Sequence, residues 1–292
     1  HRCRILAEAL TDPFLAKHIP GIHLEGPHIS PQDGPRGAHP PAHVIPPSIS
    51  AFNRLYQAAN KKITYITLAP ELPGATALIR AATRRGTLVA LGHHDANIHH
   101  IENAVRAGAR LCTHLGNGMT PQIHRHQNIL WPQLADDRLY ASFIADLEHI
   151  PPPALHVFTR AKGIQRSIIT SDSVFLSGMK AGRYQMFGAD VEMKRSGRVC
   201  LAGTELLAGS SLMLLQGVWN IYQHTDHTLM QAFEAASILP RSLFNIPAAS
   251  WPPKKGEKAD FMLCKVIPKN KKNRALCVQA LVHENQIQLL DT

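Results

Sequence analysis

Two histidines stand at the same point of two successive segments of the chain. The apolar run 88–91 ends at Gly92-His93, and the run 110–113 ends at His114. A helical pattern lies between them, with an apolar face formed by Ile98, Ile101 and Val105, Asp95 or Asn97 as N-cap, and Gly108 just past the end. Strand, helix and strand in this order form one β/α repeat. Because neighbouring parallel strands of a barrel open into one mouth, the two imidazoles are expected to meet there, as in a metal site.

Carboxylates stand at the ends of other predicted strands: Glu25, Asp146 and Asp172. One carboxylate and two neutral imidazoles form a catalytic zinc set with a position open to water. A bound metal lowers the pKa of that water towards roughly 7 and polarises a carbonyl group that faces it. Asp172 could accept the water proton and pass it to a leaving amine. Together with the metal set of Glu25, His93 and His114, this predicts metal-assisted hydrolysis of an amide.

Each of these residues also has an ordinary structural explanation when it is considered alone. A single histidine is more often packed or solvent-exposed than a metal ligand. Glu25 could cap a helix or form a loop salt bridge, and Asp172 could be an N-cap. The structural explanation is weaker for His93 and His114, because they occupy the same position in adjacent repeats.

Six strand–helix repeats supply these positions. The predicted strands are 20–25, 63–69, 88–91, 110–113, 140–145 and 167–171, and helical patterns such as 78–85 and 154–162 separate most of them. Regular alternation of strands and helices is typical of a parallel α/β architecture. A closed barrel of this kind has eight strands. The chain begins at His1 inside a helical pattern, so we expect that an N-terminal portion holding the first strands is missing.

The pattern changes after Asp172. The sequence predicts a β excursion over 184–202, two helices over 206–223 and 228–243, and short strands from Trp251 onward. The predicted domains are therefore residues 1–250, a (β/α) barrel lacking its first strands, and residues 251–292, part of a small β-domain.

Composition limits the classes of function. The 292 residues carry a formal net charge of +10, and eighteen histidines permit metal chemistry without proving it. A net positive charge of this size is a reason to consider nucleic-acid binding. However, eight of the basic residues lie between Lys254 and Arg274, in and around turn-like segments, and aromatic residues do not interleave with the basic clusters as in a stacking platform, which favours a solvated loop. No apolar run is long enough to span a membrane, and five scattered cysteines predict reduced thiols in a cytoplasmic protein.

Several short motifs, in order along nearly the whole chain, resemble the N-acetylglucosamine-6-phosphate deacetylase family of the amidohydrolase superfamily. They are Gly21-Ile-His-Leu-Glu-Gly-Pro with Gly37-Ala-His-Pro, Thr67-Leu-Ala-Pro-Glu, Gly92-His-His-Asp-Ala, Thr113-His-Leu-Gly-Asn-Gly-Met, Ile144-Ala-Asp, Thr170-Ser-Asp-Ser, Leu207-Ala-Gly-Ser-Ser-Leu and Gly256-Glu-Lys-Ala-Asp. The resemblance implies an incomplete (β/α)8 TIM barrel of the metal-dependent hydrolase type, followed by part of a small β-sandwich domain.

The resemblance also implies the roles of individual residues. Glu25, His93 and His114 would bind a divalent metal ion, zinc first and iron, manganese or cobalt as alternatives, and Asp172 would be the catalytic acid and base. Substrate-binding residues would be His39, Asn117, Gly118, Arg125 and His149. Arg125 falls near the arginine that binds the substrate phosphate across a homodimer interface in the family. A His-x-His pair on the absent first strands would provide a second metal site in some members.

The chain departs from the family pattern beside the expected substrate. Gly116-Asn117-Gly118 replaces the usual aromatic-Asn-Ala, and Glu148 places an acid next to His149. We therefore expect hydrolysis of N-acetylglucosamine 6-phosphate to glucosamine 6-phosphate and acetate, in amino-sugar catabolism. Two alternatives stay open: a related amidohydrolase that acts on another N-acyl amine or cyclic amide, and a non-catalytic binder of sugar or nucleic acid on a degenerate barrel.

Overall fold

The computed structural model describes residues 1–186, 188–247, 254–256, 260–268, 274–283 and 286–290. The chain divides into two compact units, His1–Leu239 and Pro240–Thr292. The domain boundary predicted between residues 250 and 251 lies outside the described residues.

The first unit is built on a curled parallel sheet of six strands in sequential order. The strands are β1 (Ile22–Glu25), β2 (Ile63–Leu68), β3 (Leu88–Leu91), β4 (Leu111–Cys112), β5 (Tyr140–Ile144) and β6 (Ser167–Thr170). Every neighbouring pair is parallel. The six predicted strands are confirmed within one or two residues at their ends. Within the described residues β1 and β6 each pair on one side only, so the sheet is an open half-barrel.

Helices precede β1 and connect the strands that follow it. They are α1 (Arg2–Ala9), α2 (Pro13–His18), α3 (Ile49–Ala58), α4 (Ala75–Arg84), α5 (Ile98–Ala107), α6 (Leu130–Ala135) and α7 (Pro152–Lys162). Short 3₁₀ turns occupy Pro41–His43 and Ile164–Arg166. The helix between the two histidine strands is α5: the side chain of Asn97 accepts from the backbone N–H of His100, and Gly108 ends the helix with φ 123°.

One apolar core lies between the sheet and these helices. Its largest fully buried side chains come from both: Phe52, Ile63, Ile66, Leu68, Leu78, Ile79, Leu91, Ile101, Leu139 and Phe143. The near-continuous apolar sequence of β2, β3 and β5 is what a parallel sheet covered on its faces requires. This core fixes the strands whose carboxyl ends carry the candidate site.

A small antiparallel sheet follows β6. It consists of β7 (Gly182–Met186), β8 (Ala189–Met193) and β9 (Val199–Leu201), and it has its own core around Leu176, Val191 and Val199. The segment predicted as a β excursion over 184–202 is therefore confirmed as strand structure.

The two helices predicted after this sheet are shorter than expected. Residues 206–213 are not helical, because Leu207 bridges to Cys200 and Ser210 to Ser173, and α8 spans Leu214–His224. The second predicted helix divides at Ser237 into α9 (Leu229–Ala236) and α10 (Ile238–Leu243). Pro240 explains the division, because it has no N–H to continue the hydrogen-bond ladder of α9.

The second unit contains an antiparallel sheet of three strands. They are β10 (Asp260–Pro268), β11 (Arg274–His283) and β12 (Gln286–Leu289). Among the residues that the structure describes, no helix is both long enough and apolar enough to cross a membrane.

Candidate metal centre and active-site cleft

Glu25, His93 and His114 converge at the carboxyl ends of β1, β3 and β4. Leu91 of β3 pairs with Cys112 of β4, so the histidine two positions beyond each lies at the same height. His93 Nε2 lies 2.9 Å from Glu25 Oε1, and His114 Nε2 lies 3.5 Å from the same oxygen and 3.0 Å from His93 Nε2. The structure thus brings together three side chains that are far apart in sequence.

The ring of His93 has a fixed orientation. Its Nδ1 lies 2.9 Å from the carbonyl oxygen of Pro35, which can only accept, so the imidazole proton is on Nδ1 and donates to that oxygen. This leaves the lone pair of Nε2 directed at Glu25. A carbonyl that fixes the tautomer of a histidine in this way is the usual outer support of a metal ligand.

Two glycines allow the chain to close around His93. A Cβ atom on Gly118 would lie 2.8 Å from His93 Nδ1, and one on Gly37 would lie 3.1 Å from Cε1. Both glycines have positive φ, 58° and 60°, which other residues adopt with strain. Any larger residue at Gly118 would press on the ring.

Three of the predicted functional residues have left-handed backbones. His93, His114 and Asp172 have φ of 55°, 31° and 47°. Positive φ is uncommon outside glycine and costs about 1–3 kcal/mol, so it persists where the surroundings enforce it and is concentrated at functional sites. The sequence contains no signal of this strain.

The three converging atoms fit a divalent ion. An ion with tetrahedral bonds of about 2.0–2.2 Å spaces its ligands by about 3.3–3.6 Å. The separation between His114 Nε2 and Glu25 Oε1, 3.5 Å, lies in this range, and the other two, 2.9 and 3.0 Å, are slightly shorter. The lone pair of His93 Nε2 faces a carboxylate oxygen of Glu25, a repulsive contact that a cation between them removes. His114 Nδ1 is buried and has no hydrogen-bond partner within the described part of the chain.

The charges of the three groups support the same interpretation. Burial raises the pKa of Glu25, but hydrogen bonds from His114 and His39 and the charge of His114 outweigh it and hold the pKa well below its usual value. Burial lowers the pKa of His93. For His114 burial also lowers the pKa, but the hydrogen bond and charge of Glu25 raise it to about 9.

His39 is a fourth candidate ligand. Its Nε2 lies 3.2 Å from Glu25 Oε1, and Glu25, His39 and His93 offer ligand atoms within 4.8 Å of one another. The side chain of His39 is 30 % exposed, against 7 % for His93 and 6 % for His114. The sequence predicts His39 as a substrate contact, and its position at the open side of the cluster is compatible with that role.

A polar layer lies beneath the cluster, and the sequence analysis missed it. His23 Nε2 contacts Thr67 Oγ1 at 2.8 Å, Thr67 contacts Thr113 Oγ1 at 2.7 Å, and Tyr65 contacts Thr113 at 3.0 Å. Burial lowers the pKa of His23 to about 4, so its ring is neutral. The alternation of strands could have revealed this layer, because His23 and Glu25, like Tyr65 and Thr67, lie two residues apart on one strand face.

The cluster opens into a cleft of about 910 Å³. Most of the other residues predicted for the site line this cleft: His39, Asn117, Gly118, His149 and Asp172. Asp172 is half-buried and lines the same cleft as the cluster. The small antiparallel sheet supplies part of the opposite wall through Met186, Ala189 and Leu201.

His149 is held by Asp146. Its Nδ1 donates to Asp146 Oδ2 at 2.7 Å, and both side chains are buried. Burial raises the pKa of Asp146, but the hydrogen bond and charge of His149 outweigh it and lower the pKa. The neighbouring Glu148 forms an ion pair with Arg198 Nη1 at 3.6 Å and is not among the residues that line the cleft.

Arg125 is the predicted residue that lies apart from the others. It is exposed, lies in the loop between β4 and α6, and is not among the residues lining the cleft. Its carbonyl oxygen accepts from Trp131 Nε1 at 3.1 Å. The role of its guanidinium group stays a prediction.

Known proteins resemble the chain in sequence and in fold. No protein-family model matches the chain. N-acetylglucosamine-6-phosphate deacetylase from Homo sapiens is 36 % identical over 251 residues, which cover 83 % of this chain and 60 % of the relative. N-acetylgalactosamine-6-phosphate deacetylase from Escherichia coli O157:H7 is 31 % identical over 242 residues, covering 83 % of this chain and 63 % of the relative. The chain therefore spans about three fifths of the length of these curated relatives.

A solved structure extends the resemblance to the fold. A mutant of N-acetyl-D-glucosamine-6-phosphate deacetylase from Mycobacterium smegmatis, in complex with N-acetyl-D-glucosamine-6-phosphate, superposes with a TM-score of 0.83 at 27 % identity. The match covers 98 % of this chain and 71 % of that one. In sequence and in fold, over the part of their length that it spans, the chain is related to the N-acetylglucosamine-6-phosphate deacetylases.

Proposed function

We propose that the protein is a metal-dependent deacetylase that converts N-acetylglucosamine 6-phosphate into glucosamine 6-phosphate and acetate. The observation that carries the proposal is the convergence of Glu25 Oε1, His93 Nε2 and His114 Nε2 within 3.5 Å of one another, in a cleft that Asp172 also lines. The relatives named for this reaction support the choice of substrate.

In this proposal Glu25, His93 and His114 hold a divalent ion, with zinc the first candidate. Such an ion supplies Lewis acidity to the amide carbonyl and acidifies water. Oxygen and imidazole ligands with a free position suit zinc, although iron, manganese and cobalt accept similar donors. Pro35 keeps the His93 proton on Nδ1, so Nε2 remains available as a ligand.

Asp172 moves the proton. Its carboxylate accepts a proton from the attacking water and returns it to the nitrogen of the leaving amine, so that the C–N bond breaks without release of an unstable amide anion. The left-handed backbone of Asp172 is held by a hydrogen bond from Ser210 N to its carbonyl oxygen at 2.9 Å. This bond keeps the carboxylate at the wall of the cleft.

The remaining contacts recognise the amino sugar. His39, Asn117, Gly118 and His149 line the cleft around the cluster, where they can contact hydroxyl and acetamido groups. As the family resemblance implies, Arg125 would bind the phosphate of a substrate in the second subunit of a homodimer; its position outside the cleft of its own subunit is compatible with this role. At the level of the fold, the half-barrel would be the larger part of a (β/α)8 barrel, and β10–β12 part of a β-sandwich domain.

The E. coli relative favours a second substrate, N-acetylgalactosamine 6-phosphate. The two sugars differ in the configuration of one hydroxyl group and share the acetamido group and the phosphate. An amide hydrolase of this design would cleave both, and the ratio of their kcat/KM values measures the preference.

Acetate release tests the proposal. The zinc-loaded chain is incubated with N-acetylglucosamine 6-phosphate, N-acetylgalactosamine 6-phosphate and unphosphorylated N-acetylglucosamine, with a chelator-treated sample as control. We expect acetate from the phosphorylated sugars, much less from the unphosphorylated sugar, and none after chelation. Acetate production that survives chelation would contradict the metal-dependent mechanism. Equal rates for phosphorylated and unphosphorylated N-acetylglucosamine would contradict the proposal that the substrate is a sugar phosphate.

A further inference from the structure

Glu71 is a half-buried carboxylate that none of the steps above uses. It lies three residues beyond the end of β2, beside the segment that follows His93. Its Oε1 accepts a hydrogen bond from the backbone N–H of Asp95 at 2.8 Å. Its Oε2 is buried and has no hydrogen-bond partner among the residues that the structure describes.

A carboxylate in this position is expensive for the protein. A buried acceptor without a partner destabilises the folded protein, and burial raises the pKa of Glu71. An apolar side chain would avoid this cost. Through its hydrogen bond to the Asp95 N–H, Glu71 contacts the segment that carries His93. A benefit that offsets the cost of Glu71 is therefore expected in that segment.

The backbone is strained at His93, and each residue from His93 to Ala96 takes part in a hydrogen bond that restrains the segment. His93 has φ of 55°, and its carbonyl oxygen accepts from Ser30 N at 2.9 Å. His94 is buried, with Nε2 3.4 Å from Gln133 Oε1 and Nδ1 accepting from Ala96 N at 3.2 Å. At Asp95 the restraint is the hydrogen bond that the backbone N–H donates to Glu71. A left-handed residue relaxes unless the neighbouring backbone is held on both sides.

We propose that Glu71 is a positioning residue: through the Asp95 N–H it holds the His93–Asp95 backbone so that His93 Nε2 stays aligned with Glu25 and His114, and it thereby raises the affinity of the site for a divalent ion. The part that concerns the ion rests on the proposed function. The part that concerns the backbone stands by itself.

Four variants separate this role from general stability. Glu71→Ala removes the acceptor, and Glu71→Asp keeps the charge but withdraws the oxygen by one methylene group, which preserves a test if the alanine variant does not fold. Glu71→Gln keeps an acceptor oxygen for the Asp95 N–H. Asp95→Asn is the matched control, because it changes the exposed side chain beside Glu71 and leaves the backbone N–H in place.

Two measurements on each variant decide the question: the Kd of Zn²⁺ for the metal-free chain by calorimetry, and hydrogen exchange of the 93–96 amides. Outer-shell supports of metal ligands typically contribute about 10–100-fold to affinity, and we expect the lower end, about tenfold weaker zinc binding in Glu71→Ala and Glu71→Asp. Exchange of the 93–96 amides should be faster in the same two variants. Glu71→Gln and Asp95→Asn should match the parent in both measurements.

The outcomes distinguish the two proposals. A lower melting temperature with unchanged zinc Kd and unchanged exchange at 93–96 would overturn the positioning role and leave a purely structural one. Weak zinc binding in Glu71→Gln would overturn it as well, because the acceptor is present there. If the parent chain does not bind zinc, the proposed function and the affinity part fail together, whereas the exchange data still decide whether Glu71 holds the backbone.

Discussion

The strand ends and the loop after β4 differ in how they present their candidate residues. At the strand ends, Glu25, His93 and His114 meet within 3.5 Å, and the two histidine side chains are 7 % and 6 % exposed. In the loop between β4 and α6, residues 121–127 are exposed, and Arg125 is not among those lining the cleft. The family resemblance implies that Arg125 reaches the substrate phosphate across a homodimer interface, and within the single chain the structure brings together the metal-binding groups but not Arg125.

The difference follows from how each region is supported. A strand end is fixed by the sheet and core beneath it, so a left-handed residue such as His93 can be held in one conformation. The 121–127 loop is supported by local bonds, such as those from the N–H groups of His126 and Gln127 to His124 Nδ1. Metal ligands must be positioned within tenths of an ångström, which strand ends fixed by a packed core can provide. A contact with a phosphate tolerates the looser positioning of a surface loop.

The largest effect is expected from Asp172→Asn. Asparagine caps a turn about as well as aspartate but cannot accept the water proton, so kcat should fall by roughly 10²–10⁴ with unchanged fold. Zinc content, melting temperature and kcat of the variant are to be measured together. Normal zinc content with near-normal kcat would remove Asp172 from the mechanism, and loss of zinc would make it a ligand instead.

Arg125→Ala tests the loop directly. If Arg125 binds the phosphate, one charge-assisted contact of about 1.5–3 kcal/mol is lost, and KM for the phosphorylated sugar should rise roughly ten- to a hundredfold with little change in kcat. Arg106→Ala is the control, because Arg106 is an exposed arginine on α5 whose closest ion-pair distance is 3.9 Å. An equal change for phosphorylated and unphosphorylated sugars would mean that the phosphate is not recognised at Arg125.

Asp146→Asn tests whether a carboxylate at a strand end stabilises the fold through its charge. The pKa of Asp146 is lowered in the folded chain, so its stabilising effect is present above the unfolded pKa near 4 and is lost as the pH falls through the lower folded value. The variant should be about 1.5–3 kcal/mol less stable at pH 7. Denaturant unfolding at several pH values should show the difference shrinking below pH 4. A difference that does not depend on pH would show that charge is not the cause.

The sequence predicts the strand-end cluster well because the β/α rhythm gives two histidines the same position. The same rhythm predicts all six parallel strands. It cannot predict that His39, 14 residues after Glu25, returns to within 3.2 Å of it, since a long loop decides that contact. It also does not show the bond between Pro35 and His93, the left-handed backbones or the bond from Glu71 to Asp95. These depend on tertiary packing around single residues.

The measurement that tests the central claim most directly is a zinc titration of the metal-free parent chain, His114→Ala and His39→Ala. The account predicts one tightly bound zinc ion per parent chain, loss of tight binding in His114→Ala, and retained binding in His39→Ala, because the two buried histidines and Glu25 hold the ion. Retained binding in His114→Ala with loss in His39→Ala would move the ion to the set of Glu25, His39 and His93. A parent chain that binds no zinc or other divalent ion would contradict the account as a whole.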